Sequence, residues 1–328
     1  MSIYLDHAAT AFPTAPDVAE AVALFLNQAA GNPGRGGHRL TVSASRVVEG
    51  AREDVTALLG GNPERTVLGP GATFWINTVL ASRLKAGDRV VTSALEHNAV
   101  MRPLRWLEKK RRVKVVVVKG RAADGVPSAD ELVEAVTRVP TAMVVMNHAC
   151  NVTGAVLPVA EVARAVSPVP VLVDAAQTVG SLPIDFAEMG VAALAASGHK
   201  GLLGPPGIGV LLLAPWFDIE PLVRGGTGSR SESEEMPEHL PDRLEAGSVN
   251  TVGAAGIGAA CAWIRERTVG AIHDHGRQLL LRLVAGLHEV PGVVLHGWES
   301  DKPRVNILSF TMRGKDTGEL AAWLDRSH

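Results

Sequence analysis

The sequence predicts an α/β fold, with a doubly wound and mostly parallel sheet in a large domain and a smaller α+β domain after it. Three observations support this prediction. Helical and short apolar segments alternate from residue 15 to about residue 221. The strand candidates are continuously apolar rather than alternating, which is typical of parallel strands buried on both faces. After a polar, Gly-rich segment over residues 225–242, the pattern changes to long helices and two strands.

The helices of the first part have apolar residues at helical spacing, and Ser128 and Glu131 form a capping box for the fifth. They are predicted over residues 15–28, 42–59, 74–83, 99–111, 129–139 and 159–166. The strands are predicted over residues 89–92, 113–118, 142–147, 171–174, 191–196 and 208–213.

The second part is predicted to contain helices over 252–267 and 271–289, strands over 293–296 and 305–312, and a short helix from Thr317. We therefore predict a large domain over residues 15–245. Residues 1–14 and 246–328 are predicted to form the small domain, which we expect to be incomplete because it holds two strands. Strand 305–312 would then be an exposed apolar edge, and such edges favour association.

Composition narrows the function. The chain has 328 residues, 46% hydrophobic and 20% charged, and a formal net charge of −2, which argues against nucleic-acid binding. The basic run over residues 109–112 ends a predicted helix, where cations complement the helix dipole. No secretory signal, membrane span or metal-ligand pattern is recognisable, and two cysteines give no disulfide framework, so we expect a cytoplasmic protein.

Two residues at predicted strand ends indicate the chemistry. Asp174 ends the strand over residues 171–174, and Lys200 lies 26 residues later in a Gly- and Pro-rich turn between two apolar strands. Parallel sheets place ligand-binding groups at the carboxyl ends of their strands. A lysine that forms a Schiff base and an aspartate that keeps a pyridine nitrogen protonated are the pair required by pyridoxal 5'-phosphate (PLP).

A glycine turn over residues 66–73 (Thr-Val-Leu-Gly-Pro-Gly-Ala-Thr) opens a predicted helix. Backbone N–H groups at such a helix start can bind phosphate, although a plain turn has the same pattern. The spacing fits neither a Walker loop nor a dinucleotide fingerprint. A second segment, residues 92–99, follows a strand and contains His97. From its position alone, His97 could be a helix-capping histidine or a site residue.

Together with residues 4–10 (Tyr-Leu-Asp-His-Ala-Ala-Thr), 32–38, 147–154 and 244–250, these segments resemble the class V aminotransferase group of fold-type I PLP enzymes. Within that group the chain is most similar to cysteine desulfurases and selenocysteine lyases. The resemblance follows the family order over nearly the whole chain, with His7 replacing an asparagine in the first motif.

The resemblance implies a role for each matched position. Lys200, His97 and Asp174 would be catalytic, with Lys200 removing the substrate Cα proton and His97 lying flat on the cofactor ring. Ser248 would reach the phosphate of a partner subunit across a homodimer, and the 32–38 motif would contribute to the substrate face and the dimer contact. The implied cofactor-binding set is Gly71, Ala72, Thr73, His97, Asn151, Asp174, Gln177, Ser197, His199, Lys200 and Ser248.

The implied activity is desulfuration of L-cysteine to L-alanine, with sulfur passed to an acceptor protein. In the family, a mobile loop carries the cysteine that takes the sulfur and is followed by a carboxylate-binding arginine. Both would lie beyond the position of His328, so we expect weak desulfurase activity from these residues alone. Cys150 adjoins Asn151 on a fixed turn, and Cys261 lies in a helix of small residues, where it is expected to serve packing.

Two alternatives stay open at this point. The first is a PLP-dependent lyase, epimerase or aminotransferase that acts on another amino acid. The second is a subunit without catalytic activity that dimerises with a complete partner. The substrate, the sulfur acceptor and the group that anchors the substrate carboxylate cannot be read from the residues.

Overall fold

The computed structural model describes residues 3–34, 37–121, 124–229, 232–298 and 301–327. Its α-helices, in chain order, are α1 (Val18–Gln28), α2 (Arg39–Leu59), α3 (Ala72–Arg83), α4 (Asn98–Arg111), α5 (Ala129–Thr137), α6 (Val159–Val166), α7 (Phe186–Met189), α8 (Thr251–Arg267), α9 (Val269–His288) and α10 (Thr317–Ser327). Its strands are β1 (Thr66–Gly69), β2 (Arg89–Ser93), β3 (Lys114–Val118), β4 (Met143–Asn147), β5 (Val171–Asp174), β6 (Ala193–Ser197), β7 (Gly209–Leu213), β8 (Val293–His296) and β9 (Ser309–Met312).

The large sheet has the strand order β1-β7-β6-β5-β4-β2-β3. Strands β2 to β6 pair in parallel, which confirms the predicted mostly parallel sheet. Strand β7 is antiparallel to both β6 and β1. Its sequence resembles that of the parallel strands because it is equally buried, and the short turn from Ser197 to Gly209 returns the chain without a crossover helix.

The core lies between this sheet and the helices that cover it. Strands β4, β5 and β7 are fully buried along their length, as their unbroken apolar sequence predicts. Helix α8 packs along α1 and α2, and its small residues permit close approach: a Cβ on Gly258 would lie 3.2 Å from the Ala51 Cα atom. The Ser128–Glu131 capping box at α5 is present as predicted.

One edge of the sheet gathers polar residues from several strands. Ser93, Asn147, Asp174 and Ser197 end strands β2, β4, β5 and β6, and parallel strands bring these ends to the same edge. Gly69 at the end of β1 pairs with Gly209, which also pairs with Ser197. The start of α3 therefore lies at the edge where β5 and β6 end.

The second sheet is the antiparallel pair β8–β9. The strand predicted over residues 305–312 is shorter than expected, because β9 begins at Ser309. The preceding residues pair with another part of the chain instead. The N–H of Val305 donates to the Gly154 oxygen at 2.9 Å, and Arg304 bridges to Ala155. This contact joins the second sheet to the turn after β4.

Parts of two predicted segments lie outside the described residues. These are Arg35 and Gly36 in the 32–38 motif, and Arg230 and Ser231 in the 225–242 loop. Within the described ranges, every helix is too short or too polar to cross a lipid bilayer. The same ranges contain no group of three or more His, Cys, Asp or Glu residues arranged to hold a metal ion.

Candidate active site

A cavity of about 230 Å³ lies at the carboxyl edge of the large sheet. Elements distant in sequence meet there: the start of α3, the turn before α4, the turn after β4, and the ends of β5 and β6. The sequence-predicted residues that line it are Ala72, Thr73, His97, Asn151, Asp174, Gln177, Ser197, His199 and Lys200. Gly71 directly precedes this set, whereas Ser248 lines a different cavity.

Lys200 and Asp174 form the charged pair of the cavity. Burial lowers the pKa of Lys200, and the negative charge of Asp174 partly opposes that shift. Burial raises the pKa of Asp174, while a hydrogen bond from the Ala176 N–H and the charges of Lys200 and His97 favour its carboxylate. Asp174 is 5% exposed, and the Ala176 N–H donates to its Oδ1 at 3.0 Å. Burial thus disfavours the charged form of each group, and the opposite charge of its neighbour counteracts part of that effect.

The start of α3 forms a glycine-lined recess. Gly71 precedes α3 with a φ of 143°, a conformation that side chains rarely adopt. A Cβ on Gly209 would lie 2.5 Å from the Gly71 Cα atom and 2.4 Å from the Ala196 oxygen. Glycine at both positions therefore lets the two backbones touch. The recess exposes a helix N-terminus, which attracts anions.

His97 fits both alternatives that its sequence position left open. It caps α4, since its Nδ1 accepts a 3.1 Å hydrogen bond from the Ala99 N–H. It also lines the cavity. Accepting at Nδ1 places the proton of the neutral ring on Nε2. The cap therefore determines which nitrogen of His97 can donate.

The Asn151 turn is held from two sides. Cys150 and Gly154 close it through a 2.9 Å hydrogen bond from the Gly154 N–H to the Cys150 oxygen. On the other side, Arg304 donates to the Thr153 oxygen at 2.8 Å, and the Ser309 hydroxyl donates to the Val152 oxygen at 2.6 Å. The second sheet therefore supports the turn that presents Asn151.

The N-terminal motif also reaches the cavity. Thr10 Oγ1 lies 2.6 Å from Nδ1 of His199, and Gln177 donates from Nε2 to the Ala8 oxygen at 2.9 Å. Burial lowers the pKa of His199, and the charge of Lys200 lowers it further. The 4–10 motif thus positions two predicted cofactor-binding side chains.

Ser248 lies beside a neighbouring cavity of about 280 Å³ lined by Pro70 and Phe74, among others. Its segment is anchored by Glu245, whose Oε1 accepts a 2.7 Å hydrogen bond from the Leu68 N–H. The buried Arg52 donates to the same oxygen at 2.8 Å. Ser248 is therefore held near the recess of α3, outside the cavity that contains Lys200.

Two further residues at this edge of the sheet, one of which lines the cavity, have functional potential that the sequence analysis missed. Glu96 and Asn147 join the turn that carries His97 to the end of β4. A carboxylate directly before His97 and an amide at a strand end were recognisable in the sequence. Their mutual contact depends on the pairing of β2 with β4, which the sequence does not specify.

Both cysteines are buried. Cys150 is 3% exposed and Cys261 is fully buried. Burial raises the pKa of Cys261, and the charge of Asp54 adds to this shift. A raised pKa keeps the thiol protonated and unreactive, which agrees with the packing role expected for Cys261.

Comparisons with known proteins agree with this geometry. The aminotransferase class-V family model matches residues 3–328. A "Probable cysteine desulfurase" of Methanothermobacter thermautotrophicus is 32% identical, covering 99% of this chain and 82% of the relative. An "IscS-like cysteine desulfurase" of Mycobacterium tuberculosis is 32% identical over 98% of this chain and 80% of the relative. The apo structure of a cysteine desulfurase from Thermococcus onnurineus superposes with a TM-score of 0.92 at 29% identity, covering 99% of this chain and 82% of that one.

Proposed function

This chain belongs to the aminotransferase class-V family, and from that premise we propose that it is a PLP-dependent cysteine desulfurase. Its reaction would convert L-cysteine to L-alanine and pass the sulfur to an acceptor. Similarity to cysteine desulfurases over nearly the full chain supports the proposal. The single observation that carries it is the Lys200–Asp174 pair in one cavity.

The residues present fit PLP. The cofactor has an aldehyde, a phosphate and a ring nitrogen, and it supplies an electron-accepting ring when bound. Lys200 offers an amine of lowered pKa to the aldehyde. Asp174 offers a buried carboxylate to the ring nitrogen. Among the described residues, its second oxygen accepts no hydrogen bond.

The phosphate would be held at the start of α3. The glycine recess leaves space at Gly71, and Ala72 and Thr73 form the first helical turn. Ser197 and His199 line the same cavity. Asn151 and Gln177 would hold the cofactor's phenolic oxygen. We also propose that Ser248 acts on the phosphate of a second subunit in a homodimer, since it lies outside its own chain's main cavity.

In the proposed reaction, Nζ of Lys200 takes the proton from the substrate Cα. Burial lowers the pKa of Lys200 and so favours the neutral amine, which this step requires. His97 would lie against the cofactor ring and donate or accept a proton through Nε2, because its Nδ1 is occupied by the cap of α4. We further propose that residues 15–245 act as the cofactor-binding domain, and residues 1–14 with 246–328 as the small domain.

The burial of both thiols favours one alternative. Neither Cys150 nor Cys261 presents an exposed sulfur to a substrate, so a lyase or aminotransferase reaction on another amino acid is the second candidate. That reaction would use Lys200 and Asp174 in the same way. It would require no thiol from either residue.

The test is an assay of PLP-loaded protein with L-cysteine and a thiol reductant, which converts the transferred sulfur to sulfide, so that alanine and sulfide are both measured. Alanine formed in amounts equal to the sulfur released supports the desulfurase. Repeating the assay with Cys150→Ala and Cys261→Ala shows whether either thiol takes part. No alanine from L-cysteine, together with Cα proton exchange on a different amino acid, would instead support the second candidate.

A further inference from the structure

We propose that Glu96 is a positioning residue for His97 and acts as a neutral carboxylic acid. It would hold the turn between β2 and α4 against the end of β4, and so set the orientation of the His97 ring. The inference rests on the proposed function only in taking PLP as the group that His97 meets. The position and protonation of Glu96 belong to the protein itself.

A set of hydrogen bonds, called the clamp below, holds the turn that precedes His97. Oε1 of Glu96 accepts from the Ser93 hydroxyl at 2.6 Å and from the Asn147 N–H at 3.0 Å. Ser93 also accepts from the Leu95 N–H at 3.1 Å. The Asn147 amide donates from Nδ2 to the Leu95 oxygen at 2.7 Å. Side chains from β2, from β4 and from the turn itself therefore hold Leu95 and Glu96, the two residues that precede His97.

The clamp directly adjoins the helix cap that His97 forms. His97 is the N-cap of α4, with φ −70° and ψ 158°, and its ring is bound to the Ala99 N–H. The backbone of Glu96 enters this cap directly. A displacement of Glu96 would therefore move the His97 ring, which lines the cavity.

The surroundings of Glu96 favour the neutral form of its carboxyl group. Its Oε2 atom is buried and has no hydrogen-bond partner within the described ranges. The same is true of Thr92 Oγ1 and Asn147 Oδ1. An ionised carboxylate with one bare buried oxygen is disfavoured, whereas a protonated carboxyl is tolerated. Burial raises the pKa of Glu96 to about 8, and the negative charge of Asp174 contributes to that shift.

In the proposed arrangement the proton resides on Glu96 and the negative charge on Asp174. Two nearby carboxylates do not both ionise readily in a buried site. Burial raises the pKa of Asp174 as well, but the Ala176 N–H and the charges of Lys200 and His97 oppose that shift. No described cation contributes to the pKa of Glu96. His148, which also lies at this edge, has its pKa lowered by burial to about 4 and is neutral. A neutral Glu96 therefore leaves the negative charge at the cavity on Asp174.

The experiment compares Glu96→Gln, which keeps the shape and hydrogen bonds of a neutral carboxyl, with Glu96→Ala, which removes the clamp. Glu108→Gln is the matched control, since Glu108 lies on α4 in a surface pair with Arg105. At pH 6.5, cofactor-free wild type and Glu108→Gln should show an infrared carbonyl band of a protonated carboxyl that Glu96→Gln lacks. PLP titration should give a dissociation constant within about twofold of wild type for Glu96→Gln and raised about tenfold for Glu96→Ala.

Nitrogen NMR of the cofactor-free protein supplies the readout that a purely structural role would not move. The His97 ring signals should shift in Glu96→Ala and return to the wild-type position in Glu96→Gln. If Glu96→Ala does not fold, Ser93→Ala removes one clamp hydrogen bond and should shift the same signals.

Three outcomes would overturn the proposal. The first is the same infrared carbonyl band in wild type and Glu96→Gln, and the second is an equal loss of PLP affinity in Glu96→Gln and Glu96→Ala. The third is His97 ring signals that do not shift in Glu96→Ala or Ser93→Ala. The infrared and NMR measurements use cofactor-free protein. A wild-type chain that makes no alanine from L-cysteine would therefore refute the proposed function without affecting this test.

Discussion

The hydroxyl of Ser197 accepts a 3.1 Å hydrogen bond from the backbone N–H of Ala72. This contact joins the end of β6 to the first turn of α3, across 125 residues of sequence. Lys200 follows Ser197 in the same turn, so the lysine and the helix start keep a fixed spacing. A ligand that contacts both meets a preorganised site and orders less of the chain when it binds.

The first prediction concerns Lys200. In wild type, borohydride should attach PLP covalently to the peptide that contains Lys200, as peptide mass mapping would show. Lys200→Ala should abolish this labelling and reduce Cα proton exchange by about 10²- to 10⁴-fold, the usual contribution of a positioned base. The control is Lys85→Ala, because Lys85 is exposed on the surface. Label found on another lysine in wild type would refute the assignment.

The second prediction concerns Asp174. Asp174→Asn should still bind PLP, since the recess at α3 is unchanged, but it loses the negative charge that favours a protonated ring nitrogen. Cα proton exchange, followed by NMR in deuterated buffer, should slow at least about tenfold, equivalent to about 1.4 kcal/mol. Asp218→Asn on the surface serves as the control. Equal exchange rates in wild type and Asp174→Asn would show that the charge has no catalytic role.

The third prediction concerns Gly209. A methyl group on this residue would meet the Ala196 oxygen at 2.4 Å and the Gly71 Cα atom at 2.5 Å. Gly209→Ala should therefore push the α3 recess outward, weaken PLP binding and destabilise the fold by about 1–3 kcal/mol. PLP titration and urea unfolding measure the two effects.

A matched control for Gly209→Ala is Gly286→Ala in α9, where a Cβ would meet nothing within 4 Å. That variant should keep its PLP affinity and gain up to about 1 kcal/mol from helix propensity. PLP affinity that is unchanged in Gly209→Ala would contradict the close-approach argument.

The fourth prediction is a pH dependence of stability that Glu96 confers. Its folded pKa of about 8 lies above the ordinary value of 4.5, so the native protein binds more protons than the unfolded chain between these values. Its contribution to stability is full below pH 4.5 and is lost as the pH rises through about 8. The slope approaches at most about 1.4 kcal/mol per pH unit.

Glu96→Gln should remove this slope, which urea unfolding of the cofactor-free protein between pH 6.5 and 8 would measure. His148 acts in the opposite direction, since its lowered pKa makes stability rise with pH between about 4 and 6.5. The chosen window lies above that range, and both proteins contain His148. Parallel stability curves for wild type and Glu96→Gln would contradict a neutral Glu96 in the folded protein.

The sequence predicted most of the sheet because each buried strand is an unbroken apolar run. It missed β1, since Thr66–Gly69 is short and was interpreted only as the approach to a glycine turn. It missed α7, a single turn capped by Asp185. It could not reveal the antiparallel direction of β7, because burial on both faces produces the same apolar run in either direction.

The candidate site could be predicted where a polar side chain follows a strand, as with Asp174 and Lys200, which line one cavity. The supporting residues could not, because their roles arise from tertiary contacts. The Glu96–Asn147 contact depends on the register of β2 with β4, and the Thr10–His199 contact joins residues 189 positions apart. Local sequence patterns carry no information about either distance.

Arg304, Val305 and Ser309 hydrogen-bond to the Asn151 turn, so the stability of this part of the chain is coupled to ligand binding in the cavity. A ligand that binds the ordered form of this turn should slow hydrogen exchange at the Val305 amide, which donates to the Gly154 oxygen. Because this coupling is reciprocal, a change that disorders residues 304–309 should lower the affinity of the site for that ligand by the same factor. A chain segment that touches no ligand thereby helps to set the affinity of the site.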